Sequence, residues 1–134
     1  MDKLEHIGIA VKNLEKSNRL FEKLLGKAPY KIEDVELEGV RTAFFDVGGM
    51  KIELLEATRA NSPIAHFIEK RGEGLHHLAF GVNGIEERMK ELEADGFNLL
   101  SDQPRAGADN KMVVFVHPKA TNHVLIELCE EKKL

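Results

Sequence analysis

Two short and nearly identical peptides each place a glutamate among aliphatic residues. They read KIELLE at 51–56 and LIELCE at 125–130, and their acids are Glu53 and Glu127. A strand within a sheet calls for apolar or β-branched side chains at such positions. A carboxylate there lies either on the surface of a sheet or in a site that uses its charge.

Two histidines recur with almost the same separation as the two glutamates. EHIGIAV at 5–11 resembles HHLAFGV at 76–82, and in each segment apolar and small residues alternate behind a histidine. His6 and His77 are 71 residues apart, and the two glutamates are 74 apart because the second copy has a longer turn, HPKATN. The chain therefore consists of two copies of one unit, each with one histidine and one glutamate.

Strand geometry predicts the direction in which these four side chains point. Successive side chains of a strand lie on opposite faces. His6 therefore shares a face with Gly8 and Ala10, whereas the bulky Ile7 and Ile9 lie on the other face. The second copy repeats this arrangement. Both glutamates also point away from the face of their strand that carries the bulky residues. If the two sheets curl toward each other, both histidines and both glutamates converge in one cup.

The converging side chains are a suitable ligand set for one divalent metal ion. They are His6, Glu53, His77 and Glu127. Imidazole and carboxylate groups are ligands of borderline first-row ions, and four of them on a six-coordinate ion leave two positions for water or substrate. Two carboxylates also balance the charge of the ion. Cobalt, zinc, nickel and manganese all fit this set.

A segment with helical periodicity follows each of the two histidine strands in the sequence. The two segments are NLEKSNRLFEKLLG at 13–26 and NGIEERMKELEADG at 83–96, and each opens with an Asn that can cap a helix and closes with Gly. Their apolar residues are spaced to form a core-facing stripe. These are Leu14, Phe21, Leu24 and Leu25 in the first segment and Ile85, Met89 and Leu92 in the second.

Strand-like runs follow each helix, and the first of them, VRTAFFDVGGMKIELLE, predicts a hairpin that turns at Gly48-Gly49. Each copy is thus a strand, a helix and about three further strands. The predicted fold is α+β, with two paired βαβββ modules forming a curved, cup-shaped mixed β-sheet with helices on its outer face. The modules cover about 1–57 and 75–134 of a single domain spanning 1–134, and SPIAHFIEKRG at about 62–72 predicts a short linker helix between them.

Composition excludes several classes of function. The net charge of −4 over 134 residues argues against a nucleic-acid binder, which needs a basic face. The single cysteine permits no internal disulfide, which fits a reducing compartment. No apolar run approaches the roughly 20 residues that span a bilayer, and the first residues lack the pattern of a signal peptide. We expect a cytoplasmic protein with neither a nucleic-acid nor a membrane partner.

Four stretches resemble the vicinal oxygen chelate superfamily, which has the glyoxalase fold. They are EHIGIAVKNLE, KIELLEA, SPIAHFIEKRGEGLHHLAF and FVHPKATNHVLIEL, and over nearly the whole chain they are most similar to methylmalonyl-CoA epimerases. Glyoxalase I usually has a DPDG-type turn before its last glutamate strand, where this chain has HPK at 117–119.

The resemblance implies an isomerase with a metal-binding site. Such an epimerase interconverts (R)- and (S)-methylmalonyl-CoA by proton abstraction through a metal-stabilised enolate. It implies one divalent metal ion (Co, Zn, Ni or Mn) as cofactor and a small-molecule acyl-CoA as substrate. Assembly as a homodimer is compatible with it, although the sequence does not decide between a monomer and a dimer.

The resemblance also assigns roles to residues of this chain. It implies that His6, Glu53, His77 and Glu127 are the metal ligands; the second ligand in the family is Gln or Glu, so Glu53 is acceptable. It implies that Glu127 is also catalytic, as one of two acid/base groups. His76 competes with His77, but alignment of the two copies places His76 on the packing face.

This chain departs from the family pattern at the position of a second acid/base group. Some epimerases carry a glutamate shortly after a Gly-Val pair, and here Gly39-Val40 is followed by Thr42 at the equivalent position. If the hairpin turns as predicted, Thr42 pairs with Leu55 and faces the cup, but threonine is a poor base. Glu36 and Glu38 lie nearby, and in one continuous extended strand they would point to the same face as Thr42. The sequence favours neither of them.

Other polar residues bear on how a substrate would enter. Asn122-His123 stands where small residues are more usual in the family. Arg105, Lys111 and Lys119 lie in or near loops, where they either meet the phosphates of coenzyme A or are ordinary surface charges.

Two alternative functions share the fold. A lactoylglutathione lyase of the glyoxalase I type uses a similar metal set and also moves a proton beside a carbonyl. A non-catalytic, ligand-sequestering protein of the bleomycin-resistance type needs no metal, so measured metal content separates it from both enzymes.

Overall fold

The computed structural model describes residues 2–132, which fall into two compact units. The N-terminal unit is His6–His76, and the C-terminal unit combines the residues from His77 onward with those up to Glu5. Strand β1 (Lys3–Ala10) contributes residues to both units.

The N-terminal unit is a mixed four-stranded sheet with two helices. Its elements after β1 are α1 (Leu14–Leu25), β2 (Lys31–Val35), β3 (Val40–Val47), β4 (Met50–Ala57) and α2 (Pro63–Arg71). The strand order is β2-β3-β4-β1, in which β1 runs parallel to β4 and the other neighbours are antiparallel. The β3–β4 hairpin turns at Gly48-Gly49, as predicted, with φ values of 61° and 92° that glycine adopts without strain.

Helix α1 covers one face of this sheet. Asn13 caps it by accepting a hydrogen bond from the Lys16 backbone N at 2.9 Å, and Leu14 is buried. Phe21 and Leu25 pack on the same core, which also contains Val11, Ala43, Phe45 and Leu54. The prediction that Leu24 belongs to this stripe is wrong, since Leu24 is 72% exposed. One residue rotates a helix by about 100°, which turns Leu24 away from the sheet that Leu25 contacts.

The C-terminal unit repeats the plan. Its elements are β5 (Gly74–Gly81, from His77 onward), α3 (Ile85–Ala94), β6 (Arg105–Ala106), β7 (Lys111–Val116) and β8 (Ile126–Glu131), with a 3₁₀ turn at Pro118–Ala120. The strand order is β5-β8-β7-β6, with β5 parallel to β8. Ile85, Met89 and Leu92 of α3 are buried against the sheet, as the helical periodicity predicted.

The start of α3 differs from the prediction. Asn83 was expected to cap this helix, but the capping position belongs to Gly84, which has φ 83° and no side chain to accept a hydrogen bond. A carboxylate oxygen of Glu130 instead accepts a hydrogen bond from the Gly84 backbone N. Glu130 of the neighbouring strand β8 thus anchors the backbone at the capping position, where Gly84 has no side chain to cap the first turn.

Both units confirm the α+β class and the predicted βαβββ modules, and in each of them a helix packs on one face of a mixed sheet. The description of residues 1–134 as a single domain stays a prediction. Between residues 2 and 132, no helix has the length and apolar character needed to span a bilayer.

The turn before β8 explains why small residues suit positions 122 and 123. Asn122 and His123 have φ values of 55° and 67°, in the left-handed region that favours glycine. Asn tolerates this region well because its side chain bonds locally, whereas an exposed histidine has less to gain there.

Replacing His123 by glycine should stabilise the fold. We expect His123→Gly to raise the free energy of unfolding by about 0.5–1 kcal/mol, because relief of the left-handed strain exceeds the entropy that glycine adds to the unfolded chain. Urea denaturation measures the difference. Lys119→Gly in the neighbouring 3₁₀ turn is the control and should lower stability; equal losses in both variants would contradict the strain argument.

Candidate metal centre

The first predicted pair lies on adjacent parallel strands of the N-terminal unit. Glu53 of β4 stands beside Gly8 of β1, and His6 precedes Gly8 by two residues on the same face. Gly8 therefore has no side chain beside Glu53 on this face. His6 Nδ1 and Glu53 Oε2 are 3.1 Å apart, and both residues are 4% exposed.

The second pair has the same construction in the C-terminal unit. Glu127 of β8 stands beside Ala79 of β5, and His77 precedes this small residue by two positions. His77 Nε2 and Glu127 Oε1 are 3.2 Å apart, and both residues are 6% exposed. The repeat recognised in the sequence is therefore a repeat of a buried imidazole–carboxylate contact.

An aromatic ring flanks each pair. Phe44 of β3 is directly opposite Glu53, and Phe115 of β7 is directly opposite Glu127. The Phe115 ring also meets the His77 ring edge-on, with centroids 5.9 Å apart. Each carboxylate is thus bounded by apolar surface, where electrostatic interactions are stronger than in water.

His76 takes part in packing and not in either pair. Its ring meets the ring of Phe67 on α2 edge-on, with centroids 5.0 Å apart. This contact agrees with the preference for His77 that the alignment of the two copies indicated.

The residues of both pairs fit a divalent metal ion. Bonds from such an ion to nitrogen or oxygen are about 2.1 Å long, so two ligand atoms at a right angle lie about 3.0 Å apart. The separations of 3.1 and 3.2 Å within the pairs match this spacing. Neutral imidazole and ionised carboxylate are also ligands that cobalt, nickel, manganese and zinc accept.

Comparison with known families agrees with this geometry. Residues 5–115 match the sequence model described as the Glyoxalase/Bleomycin resistance protein/Dioxygenase superfamily. The chain belongs to this superfamily. The vicinal oxygen chelate resemblance seen in the sequence is thereby confirmed.

Proteins similar to this chain over almost its whole length include a methylmalonyl-CoA epimerase. The uncharacterized protein YqjC of Bacillus subtilis is 43% identical over 132 residues, which are 98% of this chain and 94% of that protein. The mitochondrial methylmalonyl-CoA epimerase of Dictyostelium discoideum is 39% identical over 132 residues, covering 97% of this chain and 78% of that one.

A solved structure of an epimerase superposes on the whole chain. It is a substituted Streptomyces coelicolor methylmalonyl-CoA epimerase in complex with 2-nitronate-propionyl-CoA, with 31% identity and a TM-score of 0.95. The match covers 100% of this chain and 97% of that one. Relatives and structural neighbours of this superfamily member thus include methylmalonyl-CoA epimerases, which are isomerases.

Thr42, where the resemblance to epimerases implies a glutamate, lies inside the sheet of the N-terminal unit. Thr42 pairs with Leu55 across the β3–β4 ladder, as predicted, and its side chain is fully buried. Its hydroxyl has no hydrogen-bond partner among the described residues. A hydroxyl that is neither exposed nor activated by a neighbour does not act as a base.

The two acids that the sequence offered in place of Thr42 lie in the turn between β2 and β3. The Gly39 backbone N donates to the Glu36 carbonyl at 3.1 Å, and the Glu38 backbone N donates to the Val35 carbonyl at 3.1 Å. Arg59 Nη1 also donates to the Glu36 carbonyl at 2.6 Å. Both residues therefore sit beyond the end of β2, and neither is a strand residue of the face that carries Glu53.

The three candidate cations for coenzyme A phosphates differ in environment. Lys111 is 8% exposed, and its Nζ lies 3.9 Å from Asp109 and 3.7 Å from Glu131, which marks it as a structural charge. Arg105 and Lys119 are exposed and remain candidates for meeting phosphates.

Proposed function

We propose that this chain is a metal-dependent methylmalonyl-CoA epimerase, which interconverts the (R) and (S) forms of its substrate. The observation that carries the proposal is the duplicated, buried imidazole–carboxylate pair in a chain whose relatives include epimerases along almost their full length. A purely structural role would not require a histidine and a glutamate at both equivalent positions.

The proposal assigns one ion to the two pairs together, with His6, Glu53, His77 and Glu127 as its ligands. When bound, a divalent ion acts as a Lewis acid for the negative charge that develops on substrate oxygens during proton removal. The two carboxylates balance the ion's charge, so an anionic substrate would not meet a strongly charged pocket.

Glu127 is the proposed acid/base group of the C-terminal unit. It takes the proton from the carbon between the thioester and the free carboxylate, and the electrons of the broken C–H bond move onto the thioester oxygen to give an enolate. Its burial beside Phe115 keeps bulk water from protonating this enolate at random. Return of a proton to the opposite face of the carbon inverts the centre, with no net oxidation or reduction.

The ligand of the Streptomyces coelicolor structure supports the proposal chemically. A nitronate is planar at its carbon and carries negative charge on its oxygens, as does a deprotonated carbon acid. An epimerase fold that accepts 2-nitronate-propionyl-CoA is suited to an acyl-CoA whose α-carbon becomes planar during the reaction.

Deuterium exchange tests this function directly. The purified chain is loaded with Co²⁺ and mixed with methylmalonyl-CoA in D₂O, and the α-hydrogen is followed by NMR or mass spectrometry. Fast exchange that EDTA abolishes is the expected result. A chain that holds the metal but exchanges no hydrogen would exclude this substrate, and the glutathione hemithioacetal of the glyoxalase I reaction would then be assayed on the same sample. The cytoplasmic location and the homodimer stay predictions.

A further inference from the structure

We propose that Glu33 of β2 is the second acid/base group, the one for which the sequence offers only Thr42. The inference rests on the proposed epimerase function and adds a residue to it. It depends on the register of β2 in the N-terminal unit, on the burial of Thr42 and on an ion pair that holds Glu33.

The register of the sheet places Glu33 next to the expected position of the missing glutamate. Glu33 is directly opposite Thr42 in the antiparallel β2–β3 ladder, and Thr42 is directly opposite Leu55 in the β3–β4 ladder. Directly opposed residues have Cβ atoms about 4.5–5.5 Å apart and share a face of the sheet. The Glu33 side chain therefore emerges one strand further out, on the face that carries Glu53.

Other carboxylates on this face already have different roles. Among the described strand residues of the N-terminal unit, the face carries three acids, which are Glu33, Asp46 and Glu53. Glu53 contacts His6, and Asp46 closes the β3–β4 hairpin by accepting a hydrogen bond from the Gly49 backbone N at 3.1 Å. Glu33 is the third acid of this face, and it forms an ion pair with Lys31.

An ion pair holds the Glu33 carboxylate over this face. Lys31 Nζ lies 3.1 Å from Glu33 Oε1 and stands 5.6 Å from the centre of the Phe44 ring, the same ring that lies opposite Glu53. A long side chain gains precision when such a contact restricts its rotamers, and precision of placement matters for proton transfer.

Partial exposure suits an acid/base group, because the group must return to its starting protonation state after each turnover. When Glu127 takes a proton on one face and Glu33 gives one on the other, each reaction leaves Glu127 protonated and Glu33 deprotonated. Before the next turnover Glu127 must release its proton to water and Glu33 must take one up; the Glu127 side chain is 7% exposed and the Glu33 side chain is 31% exposed, so both have access to solvent. In the reverse direction the two residues exchange roles.

Substitution of Glu33 tests the inference with a readout that a structural role would not move. The enzyme and its Glu33→Gln variant are metal-loaded, and each enantiomer of methylmalonyl-CoA is supplied separately in D₂O. We expect epimerisation by the variant to fall about 10²–10⁴-fold, while the α-hydrogen of the one enantiomer that faces Glu127 still exchanges. Glu33→Asp, which restores a carboxylate, should recover part of the loss.

Glu36→Gln and Glu38→Gln are the matched controls, because they make the same chemical change in the adjoining turn. Both should epimerise at nearly the wild-type rate. A Glu33→Gln variant that epimerises at the control rate, or that loses exchange of both enantiomers equally, would overturn the assignment. A wild-type chain without epimerase activity would contradict the proposed function itself. This result differs from a failure of the Glu33 assignment, which requires an active wild type for comparison.

Discussion

For the enantiomer of methylmalonyl-CoA whose α-hydrogen faces Glu127, Glu127→Gln is expected to lower the rate of α-hydrogen exchange by about 10²–10⁴-fold, while Glu53→Gln causes a much smaller loss. The two substitutions make the same chemical change at equivalent positions of the two modules. Each leaves an amide oxygen that can still ligate a metal, and each removes one negative charge. They differ because the proposal makes Glu127 a proton acceptor and Glu53 a ligand alone.

The comparison separates base from ligand only if both variants still hold metal. Metal content per chain is therefore measured on the samples used for exchange. Equal losses of exchange in the two metal-replete variants would show that neither glutamate has a special part in proton transfer. A larger loss in Glu53→Gln would move the base to the N-terminal unit and reverse the proposed roles.

The sequence correctly placed each histidine on the same side of its sheet as the glutamate that it contacts, because two independent regularities coincide in these pairs. The period of two along a strand sets the face of each side chain, and the repeat supplies each argument twice. The structure adds a detail that neither regularity contains, which is the small residue beside each glutamate in the parallel ladder. Gly8 and Ala79 take these places. A pattern search over parallel strands could have found them once the register was known.

Other predictions failed where tertiary contacts decide the outcome. Leu24 has the right residue type for a core stripe, but the sheet beneath α1 is contacted by Leu14, Phe21 and Leu25. Asn83 is a good capping residue, yet the capping position falls on Gly84, whose backbone N donates to Glu130 of β8. Propensity describes what a segment can do alone, and packing then selects among the alternatives.

Glu33 escaped the sequence argument because the register of β2 depends on its turn. The turn contains Gly39, with φ 66°, where an added Cβ would come within 2.8 Å of Ser62 Cβ and Arg59 Cζ. Arg59 also binds the Glu36 and Leu37 carbonyls. The register across a four-residue turn held by a distant arginine cannot be read from local sequence, so counting alternate residues through the turn pointed to Glu36 and Glu38, which lie in the turn, and passed over Glu33.

Removing either histidine of the candidate metal centre is expected to abolish stoichiometric metal binding. If one ion is shared by both pairs, His6→Ala and His77→Ala each reduce the bound metal from about one ion per chain to nearly none. If each pair instead held its own ion, wild type would bind two and each variant would keep one. His76→Ala, which changes a neighbouring ring packed on Phe67, is the matched control and should bind metal as wild type does. Elemental analysis after dialysis distinguishes these outcomes.

The same ion should also raise the free energy of unfolding, because it binds only the folded state. Its proposed ligands are scores of residues apart in sequence, and an unfolded chain does not bring them together. A ligand that binds only the folded state at about 100 times its dissociation constant stabilises it by about 2.7 kcal/mol, which for a domain of this size raises Tm by roughly 5–15 °C. We therefore expect EDTA to lower the Tm of wild type and of His76→Ala by this amount. It should leave His6→Ala and His77→Ala unchanged, since they have no metal to lose. A Tm that ignores EDTA in a wild-type protein with bound metal would mean that the ion lies elsewhere, and the two buried pairs would then be structural contacts.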